Sequence, residues 1–159
     1  MKQFLIKAFP YIGFSALALG VGWLASWLTR TGLETVYPQL EKPALTPPGF
    51  VFPIAWGILY VLMGVSMALA VNKGLAAATP ALVLWLLQLA VNFGWAILFF
   101  GLNLRGTALV CLAILWLLVL DMTLTLARVS TAAALLQVPY LLWLSFAAYL
   151  NAGIWLLNR

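Results

Sequence analysis

The chain has 159 residues, of which 66% are hydrophobic and only 7% carry a charge. A soluble domain usually carries about 25% charged residues. Eight Lys and Arg with three Asp and Glu cannot cover a soluble surface of this size. The composition therefore excludes a soluble globular protein and predicts an integral, multi-pass membrane protein.

The net charge of +5 comes from basic residues that are scattered singly along the chain. Because no basic run exists, the charge indicates no nucleic-acid partner and instead marks the ends of membrane spans, in contact with lipid headgroups. The sequence has no histidine and one cysteine, Cys111, which excludes an intrachain disulfide and the usual metal ligands. We expect no metal site and no bound cofactor.

The first apolar segment, about residues 5–28, is too long for the apolar part of an ordinary signal peptide and is predicted to be a membrane span. Four further segments of the roughly 20 apolar residues needed for a span follow at about 48–71, 80–101, 106–127 and 132–157. Each must be helical, because a strand in lipid leaves backbone groups unpaired. We predict an all-α fold, a single domain over 1–159 that forms a bundle of five transmembrane helices.

The first connection, about residues 29–47, is the only long one and is rich in proline. Pro43, Pro47 and Pro48 fix their own φ and restrict the residue before each, so the segment is predicted to be stiff. Pro47 or Pro48 is expected in the first turn of the second helix, and Pro53, one turn deeper, is expected to bend it. The segment is either a lid over a cavity between helices or a rigid tie that only joins two helices.

Polar and aromatic residues share faces on three of the predicted helices. Gln88, Asn92 and Trp95 stand at i, i+4 and i+7, and buried amides in lipid need partners, so this face is expected to point into the bundle. Trp56 and Tyr60 are one turn apart in the second span. The fifth span has a similar row on one face, consisting of Tyr140, Trp143, Ala147, Leu150 and Asn151. Together the faces predict an aromatic, mostly apolar cavity; the alternative is that the amides only join helices and the rings mark the interface.

Two further features bear on function and assembly. Asp121 is the only acidic residue inside a predicted span, and an intramembrane acid is a candidate for proton or substrate coupling. The rows Ala16–Gly20 and Ala90–Gly94 place small residues four apart, a pattern that favours helix pairing and predicts a homodimer.

The stretches KPALTPPGFVFPIAWGILYVLMG, QLAVNFGWAILFFGLN and VPYLLWLSFAAYLNAGIW resemble the TspO/MBR family. This family comprises the bacterial tryptophan-rich sensory proteins and the mitochondrial translocator protein, also called the peripheral benzodiazepine receptor. The spacing of the remaining segments fits as well, so the resemblance covers essentially the whole chain. It implies a five-helix bundle, dimeric in bacteria, in a bacterial cell membrane.

The resemblance also implies a function and a site. It implies a membrane receptor or sensor that binds tetrapyrroles such as protoporphyrin IX, or other flat apolar ligands, in a pocket under the first connection, with a link to their transport or to stress signalling. The implied pocket residues are Tyr37, Pro47, Trp56, Asn92, Trp95, Tyr140, Trp143, Ala147 and Leu150. The chain departs from the family pattern at Ala44, where a tryptophan often follows the Lys-Pro pair, and at Ala152, where the sterol motif has a tyrosine.

Two alternatives to a receptor stay open at this point. The first is an enzyme that degrades porphyrin in light, for which Trp56 and Trp143 are the candidate electron donors. No histidine or nucleophile–base pair in the sequence supports catalysis in the dark. The second is a small proton-coupled transporter that uses Asp121.

Overall fold

Five long apolar helical spans run back and forth through the structure, a computed structural model that describes the backbone of residues 2–159 and the side chains of residues 7–159. The helices are α1 (Lys2–Leu28), α2 (Val51–Lys73), α3 (Leu75–Ala96), α4 (Arg105–Ala127), α5 (Thr131–Leu135) and α6 (Val138–Leu157). The last two together form the fifth span. No strand occurs in the described backbone, and the predicted all-α bundle of five membrane spans is confirmed.

The spans form a closed ring. α1 packs against α2 and α3, α2 contacts α5 and also α3, and α4 contacts both halves of the fifth span as well as α3. The order around the ring is therefore first, second, fifth, fourth and third. α1 is the most peripheral: 11% of its most apolar part is buried, against 44% for α2.

The interior is solid at one end of the bundle, the end that carries the links α2–α3 and α4–α5. Small residues from several helices are fully buried there and let the backbones approach closely; they are Ala70, Ala78, Ala81 and Ala133. Met63, Met67 and Met122 are fully buried as well, and flexible methionines fill the gaps that remain. At the other end large rings occupy inward positions of α2, α3 and α6 and line a cavity.

The link between α2 and α3 is much shorter than the sequence predicts. Instead of starting near residue 80, α3 begins at Leu75, and Gly74 alone separates it from α2. Gly74 has a φ of 151°, a backbone conformation that glycine adopts without steric cost. Pro80 stands inside α3, in its second turn, where the sequence predicts the first residue of a helix.

The fifth span, predicted as one helix over 132–157, is interrupted at Leu136 and Gln137. Pro139 explains the break, since it has no N–H to donate to the carbonyl of Leu135 and its ring crowds that carbonyl; it stands in the first turn of α6. Ser130 caps the short α5, because its hydroxyl accepts a hydrogen bond from the backbone N–H of Ala133.

The first connection, residues 29–50, contains more regular structure than the sequence predicts. A π-helical turn (Gly32–Val36) and a 3-10 turn (Tyr37–Gln39) continue from α1, and an irregular segment then leads to α2. Because α2 begins at Val51, Pro47 and Pro48 precede it, and the expectation that one of them stands in its first turn is wrong. Pro53 is the third residue of α2, where its missing N–H is one of the groups that have no partner inside a helix, so it has no reason to bend α2.

Candidate functional site

A cavity of about 590 Å³ lies among α1, α2, α3 and α6, at the end of the bundle that carries the first connection. This volume is within the roughly 300–1,000 Å³ of small-molecule sites. α1 and the connection contribute Leu19, Gly22, Trp23, Ala25, Ser26, Thr29, Leu33, Tyr37 and Gly49. α2 contributes Phe52, Pro53, Trp56, Gly57 and Tyr60, and the remaining lining residues are Asn92, Trp95, Ala96, Phe99, Phe100, Trp143, Ala147, Leu150, Asn151 and Ile154.

Trp56 is the centre of an aromatic cluster in the wall of the cavity. Its ring centroid lies 5.5 Å from that of Tyr60, 6.0 Å from that of Trp95 and 6.4 Å from that of Trp143. Trp95 in turn stacks on Phe99 at 5.9 Å. Rings at these separations attract one another through dispersion and their quadrupoles, so they form a stiff wall of flat apolar surfaces.

The floor of the cavity is a buried hydrogen-bonded network that joins α2, α3 and α6. Asn92 donates from Nδ2 to the Tyr140 hydroxyl at 2.7 Å, and that hydroxyl donates to Oε1 of Gln88 at 2.9 Å. The hydroxyl of Tyr60 donates to Oδ1 of Asn92 at a longer 3.4 Å. Tyr60 and Asn92 line the cavity, so a polar edge of a ligand meets neutral donors and acceptors at this floor.

A second set of hydrogen bonds stabilises the cavity wall in the C-terminal half of α6. Trp95 donates from its indole N–H to Oδ1 of Asn151 at 3.1 Å, and Asn151 donates from Nδ2 to the backbone carbonyl of Arg105 at 2.8 Å. Each half of the Asn151 amide therefore has a partner, as a buried amide in lipid requires. These hydrogen bonds tie α3, α4 and α6 together beside the cavity.

Tyr37 covers the cavity from the first connection. Its ring lies 5.5 Å from that of Phe100 and 6.4 Å from that of Phe52, centroid to centroid. Lys42 Nζ stands 4.9 Å from the Tyr37 ring centroid and donates to the carbonyls of Pro38 and Leu40. Burial raises the pKa of the Tyr37 phenol, which therefore stays neutral at physiological pH.

The cavity also reaches the outer surface of the bundle beside Trp23 of α1. Trp23 lines it and is nevertheless 69% exposed, so this side chain stands at an opening. Gly57 lines the cavity from α2, and no atom lies within 4 Å of the position that a Cβ would occupy there. Since both residues belong to membrane spans, the opening faces the lipid.

Of the nine site residues implied by the resemblance, seven line the cavity: Tyr37, Trp56, Asn92, Trp95, Trp143, Ala147 and Leu150. Tyr140 is buried behind the floor, where it holds Asn92, and Pro47 is not part of the lining. Gln88, Asn92 and Trp95 are all buried, as their helical spacing predicts.

Sequence reasoning missed the contribution of α1 and of the end of α3. From the sequence, Trp23 is interpreted as a residue of the membrane–water interface, because its spacing gives no sign that α1 borders a cavity. Phe99 and Phe100 lie in a π-helical turn (Ile97–Gly101), which rotates both rings away from the positions that a regular α-helix would give them. The sequence signal that could have indicated this turn is FFG, which stands close to the predicted end of the helix.

Asp121 lies on the exposed outer side of α4, a helix that contributes no residue to the cavity. Among the described residues, no group of three or more His, Cys, Asp and Glu is placed to hold a metal ion. Ala16 and Ala90 are exposed, and no atom lies within 4 Å of a Cβ built on Gly20 or Gly94, so both small-residue rows face outward. The homodimer they predict stays a prediction.

Comparison with known proteins places this architecture in a family. The chain is 40% identical to "Tryptophan-rich protein TspO" of Chlorobaculum tepidum over 89% of its own length and 91% of that protein. It is 38% identical to "Tryptophan-rich sensory protein" of Cereibacter sphaeroides, covering 77% and 76% of the two chains, and 35% identical to "Translocator protein" of Bos taurus, covering 94% and 90%. The family model of TspO/MBR matches residues 14–156. The chain therefore belongs to the TspO/MBR family.

Proposed function

We propose that the protein is a membrane receptor or sensor that binds a tetrapyrrole of the protoporphyrin IX type in the cavity under its first connection. The single observation that carries the proposal is the cavity itself, a hollow walled by flat rings with neutral polar groups at its floor. Such a lining favours a large, flat, apolar ligand with a polar edge. The names of the relatives, one of them a sensory protein, support the sensor role.

The shape of the site favours a ligand that partitions into lipid. The opening beside Trp23 and Gly57 faces the membrane, so a hydrophobic ligand reaches the cavity without passing through water. Arg30, Lys42 and Arg105 stand at the same end of the bundle, where the acids are Glu34 and Glu41. An excess of positive charge at that end suits the carboxylates that a porphyrin carries.

Titration of the detergent-purified protein with protoporphyrin IX tests the proposal, because the eight tryptophans report binding by fluorescence quenching. Ala147 lines the cavity and is 8% exposed, so Ala147→Phe fills the space that the ligand needs. We expect this variant to weaken binding at least about tenfold, the effect of about 1.4 kcal/mol of lost contact or added strain.

Ala113→Phe is the matched control. Ala113 is exposed on α4, which does not line the cavity, so the same change should leave binding as in the parent protein. Equal affinity of the parent and Ala147→Phe proteins would place the porphyrin elsewhere and reject the cavity as its site.

A further inference from the structure

The first connection is held over the cavity by the end of the last helix. The backbone N–H of Glu41 donates to Oδ1 of Asn158 at 3.0 Å, and Nδ2 of Asn158 donates back to the carbonyl of Glu41 at 2.8 Å. One side-chain amide thus pairs with both backbone groups of a residue 117 positions earlier in the chain. Neither the helical spacing nor the family motifs point to Asn158.

A packing contact accompanies these bonds five residues earlier, at Gly153 of α6. A Cβ added at Gly153 would lie 2.8 Å from Cγ and 2.9 Å from Cβ of Pro43, closer than real Cβ atoms approach. Pro43 therefore rests on the bare backbone of Gly153, and a larger residue there would push it off. Asn158 and Gly153 together hold Glu41 and Pro43; we refer to these four residues as the clamp.

The other hydrogen bonds of the irregular segment are local. Lys42 reaches the carbonyls of Pro38 and Leu40, and Thr46 bonds the carbonyl of Pro43 through both its N–H and its hydroxyl. Between Leu40 and Phe50, Asn158 is the only described hydrogen-bond partner that lies far away in the sequence. The segment is therefore stiffened by local hydrogen bonds, and Asn158 alone joins it to a distant part of the described chain by hydrogen bonds.

The clamp acts on the roof of the cavity. Lys42, next to Glu41, stands over the ring of Tyr37, which lines the cavity, while Ile154 and Leu150 line it from the helix that carries the clamp. Movement of Glu41 away from Asn158 would carry the neighbouring Lys42 with it and so change the cover over the ring of Tyr37. We propose that Asn158 is a positioning residue of the ligand site, which keeps the connection closed and so sets the rates at which a ligand enters and leaves.

This inference rests on the proposed function for its ligand, but the clamp can be measured without one. The Glu41 amide is a direct reporter, because its proton is the one donated to Asn158. In Asn158→Ala we expect hydrogen exchange of residues 40–46 in the ligand-free protein to become about tenfold faster, the loss of roughly one net hydrogen-bond contribution. Protoporphyrin IX, followed by stopped-flow tryptophan quenching, should bind and dissociate faster by a similar factor with little change in affinity.

Asn158 also donates to the carbonyl of Ile154, so its loss could fray the end of α6 instead. Gly153→Ala separates the two effects, because alanine is a stronger helix former than glycine but displaces Pro43. We expect Gly153→Ala to speed exchange of residues 40–46 and ligand exchange as well, while α6 stays protected. Leu157→Ala, at an exposed neighbouring position, is the neutral control.

Unchanged loop exchange in both variants, or acceleration in Asn158→Ala alone together with loss of protection in α6, would overturn the clamp. If protoporphyrin IX does not quench the tryptophan fluorescence of the wild-type protein, the proposed ligand is rejected instead. The hydrogen-exchange result would still decide the clamp in that case.

Discussion

At the scale of single residues, the floor of the cavity depends on the hydroxyl of Tyr140. It accepts from Asn92 and donates to Gln88, and the exposed fractions of the three side chains are 1%, 2% and 0%. Tyr140 and Gln88 lie behind the cavity lining, where a lost hydrogen-bond partner is costly, so the network is most stable when it is complete. The hydroxyl is thus the group that orients the Asn92 amide toward the ligand.

Tyr140→Phe should therefore destabilise the protein by about 1–2 kcal/mol, because it leaves a donor on Asn92 and an acceptor on Gln88 without partners in a buried, lipid-surrounded core. Thermal unfolding in detergent measures the effect. Tyr149→Phe is the matched control, since Tyr149 is 42% exposed and its hydroxyl bonds no other described residue. Equal melting temperatures for the two variants would show that the network contributes nothing to stability.

At the scale of helices, the sequence predicts what hydrophobicity and spacing determine. Five spans and the inward faces of α2, α3 and α6 follow from the cost of exposing polar groups to lipid. What could not be predicted depends on tertiary contacts or local backbone geometry, such as the π-helical turn that carries Phe99 and Phe100. The clamp joins residues 117 positions apart, and no periodicity relates Glu41 to Asn158.

At the scale of helices, the prediction concerns the contribution of Gln137, at the break in the fifth span, to the stability of the protein. Gln137 is fully buried beside Pro139, and neither its Nε2 nor its Oε1 has a hydrogen-bond partner among the described residues. An unpaired buried amide costs about 1–3 kcal/mol, whereas an apolar side chain of similar shape costs nothing of this kind. Gln137→Met should therefore raise the melting temperature in detergent.

Gln137→Glu provides the opposite test of the same site, because a carboxyl group is harder to bury than an amide and should lower the melting temperature. A Gln137→Met protein that melts well below the parent would mean that the Gln137 amide has a hydrogen-bond partner in the membrane protein and stabilises the break between α5 and α6.

At the scale of the whole molecule, the bundle is hollow at one end and solid at the other. Below the floor, Trp85 is fully buried and its indole N–H donates to the backbone carbonyl of Met63, and Met67, Leu115 and Met122 fill the space beyond. A ligand in the cavity therefore meets a packed core, and passage through the bundle would require several helices to separate. A cavity that ends at a packed core is a binding site without a continuous path across the bundle, so this architecture disfavours a transporter with a path through its centre.

Asp121 gives the test of that conclusion. It lies on the exposed side of α4, away from the cavity lining, and the only ion pair among the described residues joins Arg30 and Glu34. We expect Asp121→Asn to bind protoporphyrin IX as the parent protein does, and proteoliposomes of either protein to show no porphyrin flux that follows an imposed pH gradient. Proton-driven flux in the parent that disappears in Asp121→Asn, with binding unchanged, would show that this acid couples transport. The packed end of the bundle would then have to open during each cycle, because the cavity alone reaches only part of the way across the membrane.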